Sequence, residues 1–81
     1  MLKIATKTKL RPEEAIERAV EFFGPGGYGL EVKGQQSNRA YFEGGGGGIQ
    51  VTADVEGKQT SVVLESREWD YQVKEFIRKI R

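Results

Sequence analysis

The chain has 81 residues, 37% apolar and 31% charged, which allows one hydrophobic core and excludes both a second domain and an intrinsically disordered chain. Thirteen Lys and Arg against twelve Asp and Glu leave a net charge of +1, so an electrostatic partner must be read by a local patch rather than by an overall field. The absence of Cys and His removes the thiolate nucleophile, the usual neutral-pH acid/base and the soft metal ligands. Catalysis is therefore not expected, nor is a cofactor. No apolar run approaches the roughly 20 residues that cross a bilayer, and the lysine-bearing start MLKIATKTKL has no signal-like apolar stretch, so the expected location is cytoplasmic, away from a membrane.

Leu2, Ile4, Thr6 and Leu10 alternate with Lys3, Ala5, Lys7 and Lys9, which predicts a first strand with one buried face. Pro12 suits the first position of a helix, Glu13 and Glu14 suit its positive end, and Ala15, Ile16, Ala19, Val20 and Phe23 recur at helical spacing. The helix is expected over 12–23, with Gly24 as a left-handed cap before Pro25. Tyr28, Leu30 and Val32 predict a second strand, 34–38 a turn, and Ala40 and Phe42 a third strand. After Gly44 to Gly48, the alternation of Ile49, Val51, Ala53 and Val55 predicts a fourth. Glu56-Gly57 reads as a two-residue hairpin loop that sets Val55 opposite Lys58, Ala53 opposite Thr60, Val51 opposite Val62 and Ile49 opposite Leu64. Ser66 is the expected cap of a last helix whose stripe is Trp69, Val73, Phe76, Ile77 and Ile80.

The order is β-α-β-β-β-β-α, an α+β fold with one antiparallel five-stranded sheet and both helices on one face. The first strand is expected at the free edge beside the fifth. This element order, spanning the whole chain, resembles the TBP-like and helix-grip folds, which include ligand-binding and nucleic-acid-binding members; no family motif accompanies it, so the resemblance implies no site residues.

Tracing the chain up and down the sheet brings the loop 24–29, the glycines 44–48 and the helix entry 66–70 to one end, the glycine end. The opposite end collects Lys9, Arg11, Lys33, Lys58, Arg78, Lys79 and Arg81 as a candidate basic pole. The glycines Gly44, Gly45, Gly46, Gly47 and Gly48 read first as a hairpin tip and second as a contact loop; a phosphate loop would run from strand into helix and carry a following Lys. Arg67 and Trp69 mark the helix entry, where Glu43, Glu65, Glu68 and Asp70 could supply a carboxylate pair. Lys3, Lys7, Lys9, Arg39, Tyr41, Thr52, Ser61, Val63 and Glu65 are expected on the uncovered sheet face. Tyr41 among cations there has the composition of a single-strand nucleic-acid platform, although acidic residues share the face.

The leading expectation is a small non-enzymatic binding or protein-interaction module, self-associating or docking a protein through Tyr41, the glycines, Arg67 and Trp69. Single-stranded nucleic-acid binding through the basic pole and Tyr41 on the outward sheet face is the second. A carrier of small apolar ligands, with Phe22, Tyr28, Phe42 and Trp69 lining a pocket, is the third.

Overall fold

The structure, a computed structural model, describes residues 2–81. The elements are β1 (Leu2–Thr8), α1 (Pro12–Phe23), β2 (Glu31–Gln36), β3 (Arg39–Gly44), β4 (Gly47–Glu56), β5 (Gln59–Arg67) and α2 (Asp70–Ile80). They form the expected α+β fold: one antiparallel five-stranded sheet in the order β1-β5-β4-β3-β2. α1 lies over β3 and β4, while α2 lies over β5 and β1.

α1 starts where Pro12 meets its first turn, and the Arg11 backbone N–H donates to Glu14 Oε1 at 3.0 Å, the reciprocal half of a capping box. Its buried stripe, Ala15, Ile16, Ala19 and Phe23, meets Val73, Phe76, Ile77 and Ile80 of α2 and the inward residues of the strands. Phe23 is the hub, its ring centroid 5.2 Å from Phe76 and 5.6 Å from Phe42. Each such ring taken from water is worth about 2–3 kcal/mol, so this cluster holds the helices to the sheet. At the far end the buried Thr8 hydroxyl donates to the Ile80 carbonyl and ties the exit of β1 to the last turn of α2.

Several local expectations are corrected. The β4–β5 loop is Gly57-Lys58, so Val55 pairs with Thr60, Ala53 with Val62, Val51 with Leu64 and Ile49 with Ser66, two residues from the expected register. Only Gly57 takes a positive φ there, +64°, in the first central position of the turn; a Glu56-Gly57 loop of the favoured type would force Glu56 into the left-handed region. Gly24 is extended at φ −72°, not left-handed, and accepts N–H bonds from Gly27 and Gly29 as the chain leaves α1. Tyr28 and Leu30 belong to that exit loop rather than to β2: the Leu30 N–H bonds back to the Phe23 carbonyl, and its side chain plugs the core. The strand β2 then runs through Gly34 to Gln36, leaving Ser37 and Asn38 as the turn, with a bulge between Val32 and Gly34. Finally, Ser66 is a residue of β5, paired with Leu2 and Ile49, and the cap position of α2 is Trp69. The Ser66 hydroxyl still accepts from the Trp69 N–H at 3.1 Å, capping the turn before the helix. β1 ends at Thr8, so Leu10 packs from the β1–α1 connection.

Candidate functional site

With both helices on one face, the other face of the sheet is bare, and the strand registers fix what it displays. Across one row, Tyr41, Gln50, Glu65 and Lys3 are successive partners on β3, β4, β5 and β1. Toward the glycine end the next row is Glu31, Glu43, Gly48 and Arg67, on β2, β3, β4 and β5. Toward the opposite end the row is Arg39, Thr52, Val63 and Ala5, followed by Asp54, Ser61 and Lys7. Tyr41, Thr52, Ser61 and Val63 are half-buried by their neighbours although nothing covers them from above. The middle of the face is therefore small and neutral, with charge of both signs around it.

Gly48 leaves a notch in this face. It is a depression of about 210 Å³ lined by Tyr41, Gly48, Gln50, Glu65, Ser66 and Arg67. The Tyr41 ring leans across it: a methyl group at Gly48 would lie 3.3 Å from the Tyr41 hydroxyl oxygen and 3.0 Å from the Phe42 carbonyl oxygen. The Tyr41 hydroxyl donates to Glu43 Oε2 at 3.1 Å. The notch thus brings carboxylates, a phenol, an amide and a guanidinium into one small area. Among the described residues, Glu43, Glu65 and Arg67 take part in no ion pair.

Of the expected interaction residues, Tyr41, Gly48 and Arg67 are brought together here; Trp69 and the remaining glycines lie around the corner, at the tip of the β3–β4 hairpin. Gly45 and Gly46 form its two-residue turn, with φ of +58° and +80°, and Gly44 pairs with Gly47 across it. Two glycines in the left-handed region give the primed turn that matches strand twist. Gly47 answers a different demand: the chain leaving β5 passes against it, with Glu68 Cβ 2.8 Å from where a side chain would begin. The Trp69 indole covers Gly45, and its Nε1–H donates to the Gly44 carbonyl at 2.9 Å. The tryptophan is half-buried and faces Tyr28 at 6.1 Å between ring centroids. Tyr28 donates to Glu75 Oε1 at 3.4 Å; partial desolvation, and then the adjacent Glu75 carboxylate, push its pKa above the ordinary tyrosine value.

The four carboxylates expected near the helix entry do not converge. Glu43 and Glu65 stand on strands separated by β4, and Asp70 Oδ1 is buried at the start of α2 without a hydrogen-bond partner. The close pair is Glu31 with Glu43, directly opposite on β2 and β3. Strand parity could have found it had β2 been placed correctly. Among the described residues no group of three or more acids is placed to hold a metal ion.

The expected basic pole is divided. The Thr8–Ile80 bond and the β1–β5 pairing gather Lys9, Arg11, Lys58, Arg78 and Arg81 at one end. Arg11 is occupied by Glu14 at 3.4 Å and Glu13 at 3.9 Å. Lys79 reaches over the Phe22 ring, 5.9 Å from its centroid, and Lys33 lies on β2 against Glu31 at 3.3 Å, in the half of the sheet nearer the glycines. The residues considered for an apolar pocket are engaged with one another and with the core: Phe42 is fully buried against Phe23, and Phe22 packs edge-on to Tyr28 at 5.3 Å. Among the described residues no helix is long and apolar enough to cross a membrane.

Comparison with protein-family models, with curated proteins and with solved structures finds no match to this chain.

Proposed function

We propose that the chain is a non-catalytic protein-interaction module that pairs with a second copy of itself through the bare face of its sheet. The observation that supports this reading is the arrangement of charge about β4. β4 is the middle strand, with β5 on one side and β3 on the other. A two-fold axis along β4 lays β5 of one copy over β3 of the other, and each row then meets itself reversed. On the Gly48 row, Arg67 falls opposite Glu43 of the second copy, and this happens twice. On the Gln50 row, Tyr41 falls opposite Glu65 of the second copy. Gly48, on the axis, lies beneath the Tyr41 ring and adds no side chain of its own to the contact.

Gln50 and Thr52, also near the axis, are neutral. Asp54 meets its own copy there, but twisted sheets cross at about 30°, so the rows far from the crossing splay and the two carboxylates separate. Five strands about 4.8 Å apart, five to seven residues deep, present a face of roughly 500 Å² in plane, toward the low end of stable interfaces at about 800 Å² of accessible surface per partner. The pairing is accordingly weak and reversible. A nucleic-acid platform has less support, because Tyr41, the one aromatic residue on this face, is bonded to Glu43. An enclosed apolar site has less again, with Phe42 buried in the core.

Light scattering or sedimentation up to about 1 mM chain, the dissociation constant equivalent to roughly −4 kcal/mol, tests the proposal. The expected result is concentration-dependent dimer that Arg67→Glu or Glu43→Lys alone weakens and the two together restore. A strict monomer at that concentration, or a double variant no better than either single one, refutes it.

A further inference from the structure

The two edges of the sheet are not equivalent. β2 carries the bulge between Val32 and Gly34, and its Lys33 bonds to Glu31, both means by which an edge is blunted against further pairing. β1 has neither. It is seven residues long, its pairing with β5 runs unbroken from Leu2 to Thr8, and it contains no proline. Its outer edge therefore presents a regular row of unpaired backbone donors and acceptors. Leu2, Ile4 and Thr6 on its inner side are only half-buried, whereas their partners on β5, Ser66, Leu64 and Val62, are buried. One more strand would complete their cover.

Charge surrounds this edge on both sides. Lys3 and Lys7 point to the outer face from β1, which has no acidic residue of its own. On the inner side, Phe76 and Lys79 mark the flank of α2 that meets α1 at Phe22. The opposite flank, toward β1, carries Lys74, Arg78 and Arg81, all exposed. Two acids compete at this edge: Glu65, directly opposite Lys3 on β5 but in no ion pair among the described residues, and Glu56, which bonds to Lys7 at 2.6 Å with both side chains more than half exposed. Such a pair is worth under about 1 kcal/mol and yields readily to another carboxylate.

We propose that the β1 edge binds an acidic extended peptide segment of a partner protein, which adds as a sixth strand. In the antiparallel arrangement, side chains opposite Lys3 and Lys7 are acidic, those opposite Leu2, Ile4 and Thr6 are apolar, and further acids reach Lys74 and Arg78. The recognised segment alternates acidic and apolar residues. A second β1 is excluded by the same charges: antiparallel self-pairing about Ala5 sets Lys3 against Lys7 twice. Nucleic acid would use the cations but leave the backbone row unpaired, which favours a peptide. The backbone edge lies outside the face assigned to self-association, and Lys3 and Lys7 stand where the two surfaces meet.

The test is an amide NMR titration of the whole chain with a peptide alternating valine and glutamate. Three further arms use the same peptide N-methylated on alternate residues to block one edge, its lysine-for-glutamate counterpart, and oligo-dT. The acidic peptide is expected to shift amides of β1 and the α2 flank. N-methylation of the edge that faces β1 should abolish this, and the Lys3→Glu/Lys7→Glu variant should weaken it about tenfold or more while keeping the wild-type melting temperature. Binding indifferent to N-methylation on either edge, shifts confined to other elements, or tighter binding of oligo-dT than of the acidic peptide would each overturn the proposal. If the double variant does not fold, the N-methylated arm decides on the wild-type chain alone.

Discussion

Replacing Gly47 by alanine should damage this fold far more than the same change one residue earlier. An added methyl group at Gly47 would sit 2.8 Å from both the Arg67 carbonyl carbon and Glu68 Cβ, and closer still to the Arg67 carbonyl oxygen. Carbon atoms in contact normally lie about 3.5–4.0 Å apart, so the two chain segments must part by at least roughly 0.7 Å. Both are backbone or bonded directly to it, so no side-chain rotation relieves the clash. The separation falls where β4 begins to pair with β5, at Gly48 and Arg67, and beside the Trp69 indole bond to Gly44. Losing two or three hydrogen bonds at about 1 kcal/mol each predicts a destabilisation of about 3 kcal/mol. Gly46→Ala is the control. Its φ is +80° but nothing lies within 4 Å of the added carbon, so only the left-handed backbone is penalised, by about 1–2 kcal/mol. Urea unfolding followed by fluorescence of Trp69, the single tryptophan, measures both. A Gly46→Ala variant as destabilised as Gly47→Ala, or a Gly47→Ala loss under about 1 kcal/mol, would refute the close-approach account.

Glu68 is the one non-glycine residue with positive φ among those described, at 71°, so Glu68→Gly should raise stability by about 0.5–1 kcal/mol, seen as a higher urea midpoint; a lower midpoint would mean that the side chain compensates its backbone. Glu14 is held below its ordinary pKa of 4.5, chiefly by the Arg11 backbone N–H it accepts, which outweighs an opposing desolvation, with smaller help from the Arg11 and Arg18 guanidinium groups. A depressed folded pKa contributes stability above the unfolded value that is lost as pH falls through the folded one, so Glu14→Gln should narrow the gap between melting temperatures measured at pH 7 and below pH 4; an unchanged gap removes the assignment.

The readable parts of the sequence were those whose signal was unique in sign. Pro12 and the charged first turn fixed the start of α1, and strict alternation fixed which residues of β1, β3, β4 and β5 face the core. The β4–β5 register was not unique. A shift of two residues keeps every apolar side chain on the same face, so Val51 opposite Val62 and Val51 opposite Leu64 are equally good by pattern. The choice falls to Gly57, whose backbone freedom is used in the first turn position rather than the second. At β2 the pattern misled, because Leu30 is apolar for the sake of closing the α1 exit and not for a strand. The bulge after Val32 then removes the alternation that would have revealed the strand itself.

Site legibility followed the same division. Tyr41, Gly48 and Arg67 were separate suspicions in the sequence, and only the register makes them neighbours. Gly48 is the informative member. The turn requires Gly45 and Gly46, and the crossing chain requires Gly47, but Gly48 has ordinary strand dihedrals as far as the sign of φ is concerned and meets its tightest neighbour at 3.0 Å. Glycine within a strand forfeits about 0.5–1 kcal/mol relative to alanine, and here it opens a notch on the central strand between a carboxylate and a guanidinium that take part in no ion pair among the described residues. A hairpin tip accounts for the middle three glycines of the run. The fifth makes room for its neighbour on β3: Gly48 is buried beneath the Tyr41 ring, and a side chain there would press on the Tyr41 hydroxyl and the Phe42 carbonyl, so the missing side chain lets the phenol lie flat across the central strand.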